Sequence, residues 1–323
     1  MSAEMLGLWI GFNVVVLALL ALDLGVFNRQ AHEVSLREAA LWSAVWVGLS
    51  LLFNLFIFFW QGTEAGLDFF TAYLIEKSLS VDNIFVFVVI FSTFSVPARY
   101  QHRVLFWGVL GAIVMRGLLI LAGTTLISLF HWLLYVFGAF LILTGIRLAW
   151  SKEQQIHPDK NPLVRLTRRF LPVTTDFEGP RFFTRKEGRL FITPLLLVLL
   201  IVESADLLFA LDSIPAIFAI TLDPFIVYTS NICAILGLRA LYFLMADLVE
   251  RFQYLKFGLA VILVFVGVKL VLADLYHIPI GISLGVIAFI LTIAVVASLL
   301  RAPKEPARAE QGKPTRPLPP VEA

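Results

Sequence analysis

Five carboxylates stand where carboxylates are costly. Glu76 and Asp82 interrupt one apolar stretch of the chain, and Glu203, Asp206 and Asp212 interrupt another. An ionised side chain at the centre of a bilayer costs about 2.5–3.5 kcal/mol even on a lenient scale. Such residues must face a protein or water-filled interior, and they need partners. Helical spacing groups them. Glu76, Ser80 and Asn83 lie at i, i+4 and i+7, and Glu203 and Asp206 at i and i+3, each set on one face. Asp82 and Asp212 come six residues after Glu76 and Asp206, about 120° around an ideal helix. Pro215 follows Asp212 by three residues and removes an amide from that turn. That predicts a local break, which would return the acids to one centre and is tolerated in a membrane only where backbone lines a cavity.

The donors on offer are five carboxylates, the Asn83 amide and the hydroxyls of Ser80, Ser204 and Ser213. All bind through oxygen. The five histidines (His32, His102, His131, His157 and His277) fall in loops or at helix ends, and Cys233 is the one cysteine. Hard oxygen donors suit Mg²⁺, Ca²⁺ or Mn²⁺ rather than zinc or copper. Two or more divalent charges would offset five carboxylates, as would one cation with one or two protons, since crowded acids cannot all ionise. The alternative is structural: buried ion pairs with Lys77, Arg116 and Arg239 that only hold helices together. Glu76 and Lys77 are adjacent and point to different faces, so they are not a ready pair. Asp23 and Asp247 read as interfacial residues.

Other chemistries are poorly served. No G-x-x-x-x-G-K-[ST] loop is present, so the chain carries no nucleotide engine. Gly281-x-Ser283-x-Gly285 matches a hydrolase elbow but opens an apolar helix, where small residues serve packing. No H-E-x-x-H occurs, and nothing offers a basic folded surface to nucleic acid. The chain is expected not to be an enzyme and to hold no organic cofactor. Moving a divalent cation outward against an inside-negative potential costs about 4.6 kcal/mol per 100 mV, twice the single-charge figure. Protons binding the same carboxylates are the natural counter-ion.

These residues must be positioned by membrane helices. Of 323 residues, 59% are apolar and 15% charged, against about 45–50% and 25% in soluble domains. Stretches long enough to span recur at roughly 5–28, 39–60, 69–92, 104–123, 131–150, 191–213, 225–247, 256–273 and 279–300. The expected fold class is all-α, with nine transmembrane helices. Connections after the odd-numbered spans, with the tail, carry 20 Lys and Arg; the opposite side carries none. That places the N-terminus outside and the C-terminus in the cytoplasm. Domain organisation follows: 1–150 for the first five spans, 151–190 a cytoplasmic loop, 191–300 the last four spans and 301–323 a disordered tail with six prolines and eight charges. The loop reads as a solvated linker, with a short amphipathic helix near 163–170 as its alternative.

The chain also resembles itself. Glu76-x5-Asp82-Asn83-Ile84 in the third span parallels Asp206-x5-Asp212-Ser213-Ile214 in the sixth. Leu110-Gly111 before Arg116 parallels Leu236-Gly237 before Arg239, and Gly145-Ile146-Arg147-Leu148 parallels Gly267-Val268-Lys269-Leu270. Three helices is an odd number, so the second copy enters from the opposite side. The expectation is an inverted 3+3 repeat of spans 3–5 and 6–8, as in many transporters.

Glu76-Lys77-Ser78-Leu79-Ser80-Val81-Asp82-Asn83, Glu203-Ser204-Ala205-Asp206 and Leu211-Asp212-Ser213-Ile214-Pro215-Ala216-Ile217 resemble the TerC family, in its Alx-like branch. Asp223-Pro224-Phe225, Gly237-Leu238-Arg239-Ala240 and Tyr276-His277-Ile278-Pro279 match as well, so the likeness runs over about residues 10–300. The resemblance implies a multi-pass bacterial inner-membrane protein of the tellurium-resistance type that exports manganese. It carries the metal role onto Glu76, Asp82, Asn83, Glu203, Asp206 and Asp212. The partners it and the residues imply are a divalent metal ion, protons and the lipid bilayer, with a homo-oligomer compatible with both. The alternative function is a membrane scaffold or assembly factor for envelope proteins.

Overall fold

The computed structural model describes residues 3–22, 35–150, 172–174, 176–186, 189–246, 254–276 and 278–300. The expected amphipathic helix at 163–170, the tail 301–323, Asp23 and Asp247 lie outside them. Five helices precede a short hairpin: α1 (Ala3–Leu22), α2 (Leu36–Gln61), α3 (Thr63–Thr93), α4 (Ala98–Leu129) and α5 (Leu133–Trp150). The hairpin pairs β1 (Phe183–Lys186) with β2 (Arg189–Ile192). Then come α6 (Pro194–Phe218), α7 (Pro224–Leu236), α8 (Leu238–Met245), α9 (Leu255–Val271) and α10 (Ile280–Leu300).

The chain is an all-α polytopic membrane protein in its body. Each of the nine expected spans holds a helix, the seventh as two segments, α7 and α8. Seven spans are long and apolar enough to cross a membrane unaided: α1, α2, α4, α5, α6, the α7–α8 pair and α10. The exceptions are instructive. α3 carries Glu64, Asp68, Glu76, Lys77 and Asp82, and α9 is 17 residues long. Both rely on neighbours for their place. Exposed Leu52, Phe59, Leu118, Leu143 and Phe289 give the outer face the apolar surface that lipid requires.

Local signals set several ends. Ser35 caps α2 by accepting from the Glu38 amide at 3.3 Å, the start of a Ser-x-x-Glu capping box. Asp223 caps α7, accepting from the amides of Phe225 and Ile226, with Pro224 at the first helical position. Two expectations are corrected. The helix does not break at Asp212: α6 runs unbroken past it, and Pro215, three residues before the helix ends, withholds only the one amide that would bond the Leu211 carbonyl. The connection 151–190 is not wholly a linker either. Near its end it forms β1, which pairs antiparallel with β2, Phe183 opposite Ile192 just beyond the connection.

The break falls elsewhere, at Gly237 between α7 and α8. Every residue of α7 from Phe225 to Leu236 is buried, so this segment is the centre of the bundle. Interrupting it strands carbonyls that lack a helical donor. The Lys77 ammonium donates to the Ala234 carbonyl at 3.3 Å, and the Ser50 hydroxyl reaches the Cys233 carbonyl at 3.4 Å. A side chain at the break would crowd its neighbours. A Cβ on Gly237 would stand 2.9 Å from Lys77 Nζ and 3.1 Å from Trp46 Cβ.

α5 and α9 pack antiparallel and nearly backbone to backbone. A Cβ on Gly138 would lie 2.8 Å from the Gly267 carbonyl oxygen, and one on Gly145 would lie 2.7 Å from that of Ala260. Small residues permit this approach, the usual means of joining helices where no hydrophobic drive operates.

A buried carboxylate–guanidinium centre

Four helical segments converge on one side chain. Arg116, near the middle of α4, is fully buried. It donates in a fork to Asp206 of α6, Nε to Oδ2 at 3.0 Å and Nη2 to Oδ1 at 2.8 Å. Its Nη1 donates to Glu76 Oε1 of α3 and to Asn231 Oδ1 of α7, the latter at 3.1 Å. Asn231 closes the ring by donating from Nδ2 to Glu76 Oε2 at 3.3 Å. Glu76 and Asn231 are fully buried and Asp206 is 3% exposed. The planar fork of arginine suits this task, because its donors match a carboxylate pairwise and hold it in plane.

Two carboxyl groups share one guanidinium, and all three side chains are buried. Removing one partner from such a buried ion pair costs about 3–5 kcal/mol. There is little spare space. The cavity shared by Asp206 and Arg239 encloses about 10 Å³, at the lower limit for one water.

The remaining residues expected at the site divide around this centre. Ser80 and Asn83 share the buried face of Glu76, as their spacing requires, and the Ser80 hydroxyl bonds back to the Glu76 carbonyl at 2.8 Å. The face shared by Glu203 and Asp206 is realised only in part. Asp206 turns inward, whereas the Glu203 carboxyl lies over Gly111 of α4, in an apolar groove. Asp82 lies within the electrostatic reach of Lys256 of α9, and Asp212 lies beside Thr144 and within reach of Arg147 of α5. Ser213 is buried, and among the described residues its hydroxyl has no hydrogen-bond partner.

The five acids therefore do not meet in a single cluster. Among the described residues no group of three or more His, Cys, Asp and Glu stands close enough to hold a metal ion. The unbroken α6 is one reason, since it leaves Asp212 around the helix from Asp206. Arg116 is the other, because it draws Glu76 and Asp206 to itself. Asn231, the fourth member, was missed. Its signal was present in the sequence, a lone amide in the apolar run Pro224–Leu236.

Comparison with known proteins places the chain. Residues 61–305 match the family described as "Integral membrane protein TerC family". "Uncharacterized membrane protein STKORF319" of Myxococcus xanthus is 56% identical over 300 residues, covering 93% of this chain and 94% of that protein. The protein named "Putative membrane-bound redox modulator Alx" is 56% identical over 299 residues in Salmonella typhi, covering 90% of this chain and 92% of that protein. In Escherichia coli K12 the protein of that name is 54% identical over 299 residues, covering 90% and 93%. No solved structure matches the chain. A match over most of the chain, with 54% and 56% identity to these two Alx proteins, makes this multi-pass membrane protein a member of the TerC family.

Proposed function

We propose that the protein is a secondary transporter for a hard divalent cation, Mn²⁺ above others, that exports the ion in exchange for protons. One observation carries the reading. Two carboxylates and an amide from α3, α6 and α7 converge, dry and deep, on a single guanidinium. In this state Arg116 occupies the place of the cation. When α3 and α6 part, the guanidinium withdraws and Glu76, Asp206 and Asn231 offer the metal three oxygen donors, with Asn83, Asp82 and Asp212 as further donors along its path. The donor chemistry favours a hard ion, and the family resemblance selects manganese. A guanidinium and a metal ion cannot share carboxylates in so small a space, so the two states exclude each other. Such exclusivity is what a carrier needs to avoid leaking.

The α5–α9 contact supports the inverted repeat. Pairing Gly145 with Gly267, as their motifs do, pairs Gly138 with Ala260. The contact of Gly138 with Gly267 then maps onto that of Gly145 with Ala260, and both occur. A two-fold axis in the membrane plane would lie between α5 and α9. Asp82 of α3 faces α9 while Asp212 of α6 faces α5, the cross-paired pattern of two interlocked halves. The symmetry is approximate, since the cation acting on Asp82 is Lys256 rather than Lys269. The central break at Gly237 fits the interrupted helices of such transporters.

A second reading is a membrane scaffold for envelope proteins, favoured by the saturation of Arg116. The Alx relatives are named for redox modulation. This chain has one cysteine, Cys233, which is buried, so dithiol exchange would lack its second sulphur.

The test is ion flux in proteoliposomes with Mn²⁺, Mg²⁺, Ca²⁺ and Zn²⁺ side by side, together with internal pH. The proposal expects Mn²⁺ movement accompanied by proton movement in the opposite direction. No flux of any of these ions would leave the scaffold reading standing.

A further inference from the structure

Phe183 is exposed on a hairpin whose root is firmly seated. Thr174 donates its amide to the Ile192 carbonyl at 2.9 Å, and Thr193 donates its amide to the Phe182 carbonyl at 3.0 Å and its hydroxyl to the Arg181 carbonyl at 2.7 Å. Phe182 lies under the Arg103 guanidinium of α4, 5.3 Å from the ring centroid, and Ile192 is fully buried. From that seat the strands project with two unlike faces, since side chains alternate along a strand and paired residues share a face. One face carries Phe183, Arg185 and Leu190. Phe183 is 50% and Leu190 47% exposed, and Arg185, opposite Leu190, is exposed with them. On the other face Thr184 and Phe191 are half-buried and Lys186 pairs with Glu178 at 2.6 Å. Over 178–189 four basic residues, Arg181, Arg185, Lys186 and Arg189, meet two acids, Glu178 and Glu187.

The hairpin stands where the chain enters the membrane. β2 ends two residues before Pro194, the first residue of α6, and Leu195, Leu196 and Leu197 follow at once. Leu190 is four residues from that entry point, no more than about 14 Å at about 3.4 Å per extended residue. The hairpin also lies on the side of the chain that carries the basic connections, the side read as cytoplasmic, where the leaflet is anionic. Apolar side chains exposed among arginines suit a headgroup layer, which takes the ring and the leucine while its phosphates take the guanidinium groups. We propose that the β1–β2 hairpin is an anionic-lipid anchor: Phe183 and Leu190 enter the headgroup layer, and Arg181, Arg185 and Arg189 hold lipid phosphates around them. The anchor fixes the depth at which α6, the helix of Asp206, enters the membrane. It requires no ion movement and stands apart from the cation-exchange reading.

The test places the full chain in vesicles of phosphatidylcholine alone or of phosphatidylcholine mixed equally with phosphatidylglycerol. In a Cys233→Ala background, an environment-sensitive dye is attached to Leu190→Cys or, on the opposite face, to Thr184→Cys. Phosphatidylcholine spin-labelled near its carbonyl groups serves as the quencher. The expected result is a blue-shifted, quenched dye at position 190 in the anionic vesicles, with weaker quenching at position 184 and in phosphatidylcholine alone. Each charge removed should lower the bound-to-free ratio of the hairpin about fivefold. Arg181→Gln, Arg185→Gln and Arg189→Gln combined should therefore abolish the difference between the two vesicles, and high salt should reduce it. The unsubstituted chain supplies a second readout. Amide exchange over 183–192 should be slower in the anionic vesicles than in phosphatidylcholine alone, and the triple variant should lose that protection. Equal quenching at positions 190 and 184, or equal signals in the two vesicles, overturns the proposal. So does a dye at position 190 that stays in water in both, which would give the face to a soluble partner.

Discussion

Replacing Arg116 with glutamine separates the competing accounts of the buried centre. The side chain makes four hydrogen bonds, three of them to carboxylates that are 0–3% exposed. Arg116→Gln leaves both acids buried without their cation, a loss of about 3–5 kcal/mol by the precedent of broken buried ion pairs. At roughly 2 °C per kcal/mol for a chain of this size, the melting temperature in detergent should fall by about 6–10 °C. The same deletion vacates a site for a metal. A ligand at a hundred times its dissociation constant stabilises by about 2.7 kcal/mol, so saturating Mn²⁺ should return half or more of the loss in the variant. It should do less for the wild type, where it must first displace the guanidinium. The assay is a thermal melt with and without Mn²⁺, with Mg²⁺ and Zn²⁺ as comparators. A variant that loses stability and gains nothing from any divalent ion would refute the argument, because the vacated carboxylates would then have no affinity for the ion assigned to them.

Three further outcomes follow from the geometry. Glu76→Gln, Arg116→Met and Asp206→Asn combined remove all three ionisable groups at once, so the melting temperature should return to within about 2–4 °C of wild type while the response to Mn²⁺ vanishes. A persistent response would move the site elsewhere. Gly138→Val drives a side chain into the Gly267 carbonyl and should cost about 1–3 kcal/mol, whereas Gly285→Ala, with nothing within 4 Å, should leave the melt unchanged or slightly raised. Equal effects at the two positions would remove the close α5–α9 contact from the account. Asp274 lies beyond the end of α9, outside the membrane spans, and Tyr135 and His131 donate to it and hold its carboxyl below the usual carboxylate range. A folded-state value below the unfolded one contributes stability that is present above the ordinary carboxylate value and lost as pH falls through the depressed one. Amide exchange at 272–276 should therefore speed up, relative to neutral pH and after correction for intrinsic rates, only in strongly acidic buffer, and Asp274→Asn should abolish that step.

The helices were legible because their signal is long and redundant. A run of apolar residues needs no partner to be read as a span, and the basic residues fall between the runs in alternation. The Glu76–Ser80–Asn83 face was legible for the same reason, since helical period alone puts those residues together. Long-range partners decide the rest. Nothing near Arg116 in sequence announces that its fork will meet Asp206, 90 positions away. It was among the bases considered for a purely structural role, and it became the hub. Pro215 suggested a break that helix-end geometry made unnecessary, while Gly237 makes one because Lys77 and Ser50 are in place to satisfy the stranded carbonyls. The hairpin Phe183–Lys186 with Arg189–Ile192 left a short signal, β-prone residues around a two-residue Glu187-Gly188 connection. It was lost in a segment whose charge suggested a linker.

The central claim is that acids from α3 and α6 take a metal ion in place of Arg116. Electron paramagnetic resonance of Mn²⁺ titrated into the purified protein tests it most directly, because bound and free ion differ in their spectra. The account predicts one tight site per chain, tighter in Arg116→Gln and lost in Glu76→Gln combined with Asp206→Asn. Binding that is indifferent to both acids, or no binding in any of these proteins, would contradict it.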